Sequence, residues 1–178
     1  MTRIVAGTHG GRRLVVPAGD GTRPTSDRAR EGLFSSLQSL LDLEGARVLD
    51  LYAGSGALGL EALSRGAASA TLVERDPKAL AALRRNVADL GLAARVVEED
   101  VASYLAGTPE RYDVVLLDPP YDVDVDPVLA ALPRWLEEGA VVVAERRTRG
   151  PAPSPPAGLE PLRSRRYGEA TLWYFRAA

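Results

Sequence analysis

Cysteine is absent from the 178-residue chain, and histidine occurs once, at His9. Without thiols the chain cannot form disulfides, thiolate zinc sites, iron–sulfur clusters or a cysteine nucleophile. One histidine excludes a multi-histidine metal site within the chain, so we expect no metal. No apolar run approaches the roughly 18 residues that a membrane span needs, and the N-terminus lacks the apolar stretch of a signal peptide. We therefore expect a cytoplasmic protein without a membrane partner.

Lysine is also scarce, since Lys78 stands beside 21 arginines, and the net charge is −2. The arginines are unevenly distributed: residues 1–30 carry six of them against two aspartates, a balance of +4 that leaves −6 for the rest. Clustered positive charge can hold a phosphate backbone without reading its sequence. The candidate RNA-binding residues are Arg3, Arg12, Arg13, Arg23, Arg28 and Arg30. Two further basic clusters, residues 146–149 and 163–166, are each more typical of a solvated surface.

The order of the apolar segments predicts an α/β protein with a mostly parallel sheet. The length of the chain, 178 residues, suits one domain with a sizeable core. Strands are predicted at 47–51, 70–73, 95–98, 113–117 and 140–144, with helices at 57–65, 77–90, 101–106 and 128–136. Because strands alternate with helices, right-handed crossovers should give a sheet that is covered on both faces.

The two ends of the chain depart from this alternation. Residues 3–5 and 13–16 predict a short N-terminal β-hairpin around a glycine turn. We divide the chain into an RNA-binding hairpin extension, residues 1–22, and a main domain, residues 23–178. Removal of residues 1–20 is expected to weaken RNA binding and to leave the binding of a small-molecule donor by the main domain unchanged.

The C-terminal end begins with a proline-rich stretch over 151–156, which reads as a stiff surface connector. Two predicted strands follow, at 159–166 and 170–176. A terminal antiparallel pair added to a parallel sheet is typical of the class I methyltransferase fold, a Rossmann-like sheet of seven strands.

A glycine loop follows the first buried strand, in the run Asp50-Leu51-Tyr52-Ala53-Gly54-Ser55-Gly56. Glycines let the backbone turn sharply and approach a ligand closely, and the helix that follows offers free backbone N–H groups. Gly54, Ser55 and Gly56 are therefore candidate cofactor-binding residues. The spacing alone is a weak signal, because dinucleotide-binding dehydrogenases share it.

Three carboxylates at successive strand ends make the signal more specific. Glu74 could accept both ribose hydroxyls, and Asp50 is placed to meet a cationic amine where a pyrophosphate would be repelled. Asp100, with the Val101 N–H beside it, could receive an adenine amino group. This acidic lining suits S-adenosylmethionine, which has an ammonium group and a sulfonium group but no phosphate. The alternative is that Asp50 and Glu74 only cap neighbouring turns.

The motif Asp118-Pro119-Pro120-Tyr121 follows the apolar run of the fourth strand. The Asp118 carboxylate and the Pro119 carbonyl could each accept one hydrogen of an amino group, while Pro120 keeps the loop rigid. Tyr121 could stack on the face of a base, a contact typically worth roughly 1–3 kcal/mol. Together with the glycine loop, the motif suggests methyl transfer to an exocyclic nitrogen. A rigid corner with a packed tyrosine is the alternative interpretation.

Residues 23–34, 49–67 and 118–121 closely resemble the RsmD family of bacterial ribosomal RNA small-subunit methyltransferases. The resemblance spans nearly the whole chain and is weakest over 146–158. It implies transfer from S-adenosylmethionine to the 2-amino group of a guanine in 16S ribosomal RNA. A small-subunit assembly intermediate is a plausible substrate by this resemblance, and we expect a monomer.

Three other functions stay open at this point. An adenine-amino DNA methyltransferase would share the pocket, but at this size it would usually need a target-recognition insertion. A catalytically silent nucleic-acid-binding module would keep the fold but fail to bind the donor. A dehydrogenase is the most distant alternative, because no residue set for hydride chemistry is visible.

Overall fold

A seven-stranded sheet forms the centre of the computed structural model, which describes residues 2–17 and 26–178. The strands are β1 Arg47–Leu51, β2 Ser69–Glu74, β3 Ala94–Glu98, β4 Tyr112–Leu117, β5 Leu136–Arg147, β6 Leu159–Tyr167 and β7 Ala170–Ala177. Their spatial order is β3-β2-β1-β4-β5-β7-β6. Strands β1 to β5 run parallel, whereas β7 pairs antiparallel with both β5 and β6. The predicted fold class is confirmed.

Within the described part of the chain, five α-helices cover the two faces of this sheet: α1 Asp27–Leu40, α2 Ala57–Ser64, α3 Pro77–Leu90, α4 Val101–Ala106 and α5 Asp126–Ala131. Their starts follow sequence signals, since Asp76 caps α3 and accepts from the Ala79 N–H at 2.9 Å. The same helix ends at Gly91, which has a positive φ of 63°.

The predicted helix over 128–136 is wrong in its second half. The α-helix α5 stops at Ala131, and Pro133–Trp135 forms a 3₁₀ turn before β5 begins at Leu136. Proline lacks the N–H that a continuing α-helix requires. Trp135 is buried at the turn, where its indole N–H donates to the Leu105 carbonyl at 3.2 Å.

Hydrophobic residues pack on both faces of the sheet, as a doubly covered parallel sheet requires. One cluster joins α1, α2 and α3 to the strands. It also includes Ile4 and Leu14 of residues 2–17, which we call the N-terminal segment. The other joins α4, α5 and Trp135 to the opposite face. The first cluster therefore depends partly on residues that precede α1.

The N-terminal segment is hairpin-like, but its strands are minimal. A single antiparallel bridge joins Arg3 to Arg13, and the Ile4 N–H donates to the Arg12 carbonyl at 2.9 Å. The turn between them uses Gly11 at a φ of 87°. The predicted boundary at residues 22 and 23 lies outside the described residues.

Buried polar residues attach the N-terminal segment to the rest of the fold, Glu61 and Asn86 among them. Glu61 on α2 is fully buried and accepts the Val5 and Ala6 N–H groups at 2.7 and 3.0 Å. Asn86 on α3 accepts the Val15 N–H at 2.8 Å and donates to the Val15 carbonyl at 2.9 Å. Removing the segment would take away the two N–H groups bound to Glu61 and both Val15 partners of Asn86, while Arg65 stays bonded to Glu61 at 2.8 Å. We therefore expect truncation to destabilise the main domain.

Candidate active site

The carboxyl ends of β1 and β4 bring two loops together. One is the glycine loop, and the other is the loop over residues 118–125 between β4 and α5, called the Asp118 loop here. Leu51 and Leu117, the last residues of these strands, are paired in register. Neighbouring strands lie about 5 Å apart, so Tyr52 and Asp118 start two loops side by side. The two motifs that the sequence separates by some sixty residues thus meet at one edge of the sheet.

The backbone of the glycine loop turns through positive φ at three positions. Gly54 and Gly56 have φ values of 59° and 87°, which glycine adopts without steric cost. Tyr52 has a φ of 61° and is the one non-glycine residue with positive φ among those described. Such a conformation costs on the order of 1–3 kcal/mol and clusters at ligand-binding sites.

Tyr52 was not singled out from the sequence as a site residue. The pKa of this half-buried phenol is raised, first by burial and then by the negative charge of Asp100, while Arg75 and Arg146 act in the opposite direction. The phenol therefore interacts electrostatically with Asp100, Arg75 and Arg146. A non-glycine residue at a strand end gives no signal that its φ will be positive.

Asp50 lies beneath the glycine loop and is only 1% exposed. Its Oδ2 accepts the Gly59 N–H at 3.0 Å, which fixes the first turn of α2 to β1. The pKa of Asp50 is raised to about 7, chiefly by burial; the Gly59 hydrogen bond opposes this shift and the charge of Glu74 adds to it. The predicted contact with a cationic amine stays a prediction, because the carboxylate faces the interior here.

Glu74 ends β2 and holds the glycine loop directly. Its Oε1 accepts the Gly54 N–H at 2.8 Å, and its Oε2 accepts the N–H groups of Arg75 and Asp76, both at 2.9 Å. The carboxylate thus caps neighbouring turns, as the alternative interpretation held. Glu74 is also half-buried at the strand end, and its predicted contact with ribose hydroxyls stays a prediction.

Asp100 precedes α4 and caps it, accepting the Ser103 N–H at 3.3 Å. Its other oxygen lies 3.4 Å from the Arg75 guanidinium in a largely exposed ion pair. Val101, the next residue, is buried. Asp100 and Val101 therefore follow β3 at the same sheet edge as Glu74, which is the placement that the predicted adenine contacts require.

Ser55 is connected to the N-terminal segment through Asn86. The Asn86 side-chain amide, which is 1% exposed, donates to the Ser55 carbonyl at 2.9 Å as well as to Val15. Gly56 is packed closely, since a Cβ there would lie 2.5 Å from Leu83 Cδ1. The glycine loop and the N-terminal segment therefore share one buried hydrogen-bond partner, Asn86.

The Asp118 loop leaves β4 with Asp118 half-buried and Pro119 buried, while Pro120 and Tyr121 are exposed. Arg146, on β5, ties down the backbone that follows. Its guanidinium donates to the carbonyls of Pro120 at 3.4 Å, Tyr121 at 3.0 Å and Val123 at 2.8 Å. The loop is thus stiffened by a distant arginine as well as by its own prolines.

Tyr121 is 39% exposed, and the guanidinium of Arg147 lies over its ring at 4.5 Å from the centroid. One face of the ring is therefore covered. A base that stacks on Tyr121 would have to use the other face or displace Arg147.

Four of the arginines predicted to bind RNA are exposed: Arg3, Arg12, Arg13 and Arg28. Arg3 forms an exposed ion pair with Asp27 at 3.1 Å, and Arg12 donates to the Asp89 carbonyl at 3.1 Å. Arg23 lies outside the described residues.

The assignment of Arg30 to RNA binding is wrong, because its side chain is fully buried. Arg30 donates to the Arg3 carbonyl at 2.6 Å and to Asp27 Oδ1 at 2.7 Å, and it lies 3.8 Å from Glu61. Its role is to hold the N-terminal segment against α1 and α2. The sequence places Arg30 among exposed arginines and gives no sign of this burial.

The described residues form neither a cluster of metal-ligating side chains nor a helix that could span a membrane. No group of three or more histidine, aspartate or glutamate side chains within 2–17 and 26–178 could hold a metal ion. None of the helices formed by these residues combines the length and apolar character of a membrane span.

Comparison with known proteins gives a consistent result. The model of the family described as "Conserved hypothetical protein 95" matches residues 2–176. "Ribosomal RNA small subunit methyltransferase D" of Escherichia coli (strain K12) is 41% identical over 159 residues, covering 87% of this chain and 79% of the relative. The protein of the same name from Haemophilus influenzae is 34% identical over 161 residues, covering 86% and 82%.

Solved structures agree with the sequence relatives. The structure of yhhF from Escherichia coli has a TM-score of 0.88 at 36% identity and covers 99% of this chain and 97% of its own. A more distant structure, with a TM-score of 0.64 at 16% identity, covers 88% of this chain and 50% of its own and was solved complexed with SAH. At that identity the likeness concerns the fold alone.

Proposed function

Since this chain belongs to the RsmD family of ribosomal RNA small-subunit methyltransferases, we propose that it methylates the 2-amino group of a guanine in 16S ribosomal RNA. The observation that carries this proposal is the register of β1 and β4, which starts the glycine loop and the Asp118 loop side by side. A donor held by one loop would present its methyl group to a base held by the other.

The donor in this proposal is S-adenosylmethionine. Glu74 would accept the ribose hydroxyls, and Asp100 with the Val101 N–H would hold the adenine. Gly54, Ser55 and Gly56 supply a backbone that a ligand can approach closely. The buried charge of Asp50 would act on the ammonium and sulfonium groups across the loop, because an opposite charge is attracted strongly where water is excluded.

The chemical step needs alignment more than it needs a base. The lone pair of a guanine amino group is delocalised into the ring, so the nitrogen is a poor nucleophile. Asp118 and the Pro119 carbonyl would each accept one amino hydrogen, which favours a tetrahedral nitrogen with its lone pair directed at the methyl carbon. As the N–C bond forms, the C–S bond of the sulfonium would break and the thioether would leave. The same two oxygens would stabilise the positive charge that develops on nitrogen, whose proton would then pass to Asp118 or to water.

The target base must leave its stack before it can reach this edge of the sheet. It would be flipped out or lie in an unpaired loop of the RNA. The exposed arginines Arg3, Arg12, Arg13 and Arg28 would hold phosphates around it without reading base sequence. Ribosomal RNA alone or a small-subunit assembly intermediate would be the partner, and the enzyme would act as a monomer in the cytoplasm.

A transfer assay with labelled donor tests the proposal. The substrates are small-subunit ribosomal RNA transcribed in vitro, small subunits from cells that lack this enzyme, and duplex DNA. We expect label in the ribosomal substrate, and a loss of at least about 100-fold for Asp118→Ala with donor affinity unchanged. Asp122→Ala, which removes an equal charge from an exposed side chain of the same loop, is the control and should retain activity.

The alternative is an adenine-amino DNA methyltransferase, and the same assay separates the two. Label in duplex DNA but in neither ribosomal substrate would favour the alternative. Full transfer by Asp118→Ala would contradict the mechanism for either substrate.

A further inference from the structure

A basic groove adjoins the Asp118 loop on the side opposite the glycine loop. Strand β4 lies between β1 and β5, and Leu117 pairs with Leu51 on one side and with Ala144 on the other. The order along this edge is therefore glycine loop, Asp118 loop and the turn that follows β5. A groove of about 280 Å³ lies at this turn and is lined by Tyr121, Arg146, Arg147, Arg149, Gly150 and Pro151.

The three arginines of this groove have different surroundings. Arg146 is engaged with three backbone carbonyls of the Asp118 loop. Arg147 and Arg149 are exposed, and no ion pair involves either of them among residues 2–17 and 26–178. Three other surface arginines of the described residues, Arg47, Arg84 and Arg95, are paired with glutamates.

The stacking of Arg147 on Tyr121 orients one of these two guanidinium groups. A guanidinium held over an aromatic ring is attracted by the ring face and need not use its N–H donors for this contact, so they can donate to a ligand. The planar fork matches the oxygens of a phosphate, to which it can donate two hydrogen bonds at once. Such a pair of donors lies beside a tyrosine that is proposed to stack on a base. The ligand that fits both is a nucleotide with its phosphate, whereas an isolated carboxylate would use only the donors.

We propose that Arg147, which lies over the Tyr121 ring, and Arg149, which lines the same groove, bind a backbone phosphate of the RNA next to the nucleotide held by Asp118. The inference rests on the proposed function, because the substrate class follows from it. The glycine loop occupies one side of Asp118, so the RNA strand must leave the site on another. The groove lies on the side of β5, next to Tyr121. The basic cluster at 146–149, which looks like a solvated surface in the sequence, thereby becomes part of the substrate site.

The test compares two double variants that remove equal charge. Arg147→Gln with Arg149→Gln changes the groove. Arg47→Gln with Arg95→Gln is the control, because both arginines line a groove of about 390 Å³ at the amino ends of β1 and β3, where they pair with Glu110. Affinity for transcribed small-subunit ribosomal RNA and for duplex DNA is measured over a series of salt concentrations, together with donor affinity and transfer rate.

The groove variant should bind the RNA about tenfold more weakly, with the slope of log affinity against log salt reduced by about 0.7 for one lost phosphate contact. Its KM for RNA should rise while kcat and donor affinity stay near those of the wild type, and the control should match the wild type. An unchanged slope, equal weakening in the control, or a loss confined to duplex DNA would each overturn the inference.

The outcomes also separate this inference from the proposed function. If the wild type binds the RNA through the groove but methylates no guanine in it, the proposed function fails and the groove stands. If the wild type methylates guanine and the groove variant binds and reacts as well as the wild type, the groove fails and the function stands.

Discussion

Replacing Asp50 by asparagine should change how stability depends on pH. Asp50 is fully buried beneath the glycine loop, and burial is the main cause of a pKa raised from 3.8 to about 7. Between these two values the native protein keeps a proton that the unfolded chain has lost. The stability of the wild type should therefore fall as pH rises from about 4 to about 7 and change little through this group above that.

The magnitude follows from the shift. About three pKa units correspond to about 4 kcal/mol, of which about 3 kcal/mol falls between pH 5 and pH 8. Asp50→Asn keeps an acceptor for the Gly59 N–H but cannot ionise, so this contribution disappears. The unfolding free energy of the variant minus that of the wild type should rise by about 3 kcal/mol from pH 5 to pH 8.

Urea unfolding of both proteins at pH 5, 6, 7 and 8 provides the measurement. Taking the difference between the proteins removes the titration of every group that they share. If the difference in unfolding free energy between the two proteins stays constant within about 0.5 kcal/mol over this pH range, the raised pKa of Asp50 is refuted. Donor affinity gives a second reading, because a bound cation favours ionised Asp50: it should increase with pH through about 7 in the wild type and not in the variant.

Three further changes test the packing around the site by urea unfolding. Asn86→Ala removes the three hydrogen bonds that join the N-terminal segment to the glycine loop. It should therefore lower the free energy of unfolding by about 3 kcal/mol and weaken donor binding. Stability within about 1 kcal/mol of the wild type would contradict this. Gly59→Ala would place a Cβ 2.2 Å from Leu72 Cδ2 and should cost about 1–3 kcal/mol, whereas an unaltered midpoint would show that the contact relaxes freely. Deleting residues 2–17 uncovers the buried Glu61 carboxylate and should lower stability as well as RNA affinity, and a truncated protein as stable as the full chain would disprove that anchoring role.

Much of the fold could be predicted because local patterns determine it. Alternating apolar strands and capped helices gave the parallel sheet, and the terminal strand pair gave its antiparallel edge. The motif positions at strand ends were sufficient to expect one site, since the carboxyl ends of parallel strands share an edge. The second half of the helix predicted over 128–136 is wrong because Pro133 ends the α-helix. The apolar residues around Pro133 continue the helical pattern, so the sequence does not indicate the 3₁₀ turn.

The residues that the sequence misassigned owe their roles to long-range contacts. Arg30 belongs to an arginine-rich stretch, but burial against Glu61 makes it structural. Arg146 lies 25 residues after Tyr121 and holds its carbonyl, which no local pattern indicates. The positive φ of Tyr52 is likewise imposed by the loop that surrounds it.

The central claim is that the Asp118 loop presents a guanine amino group to a methyl donor in the glycine loop. Mass analysis of nucleosides from small-subunit ribosomal RNA treated with the enzyme and S-adenosylmethionine tests it most directly. The account predicts guanosine carrying one methyl group on its 2-amino nitrogen with the wild type and none with Asp118→Ala. A methyl group on adenosine, on a ring nitrogen of guanosine or on ribose would contradict it.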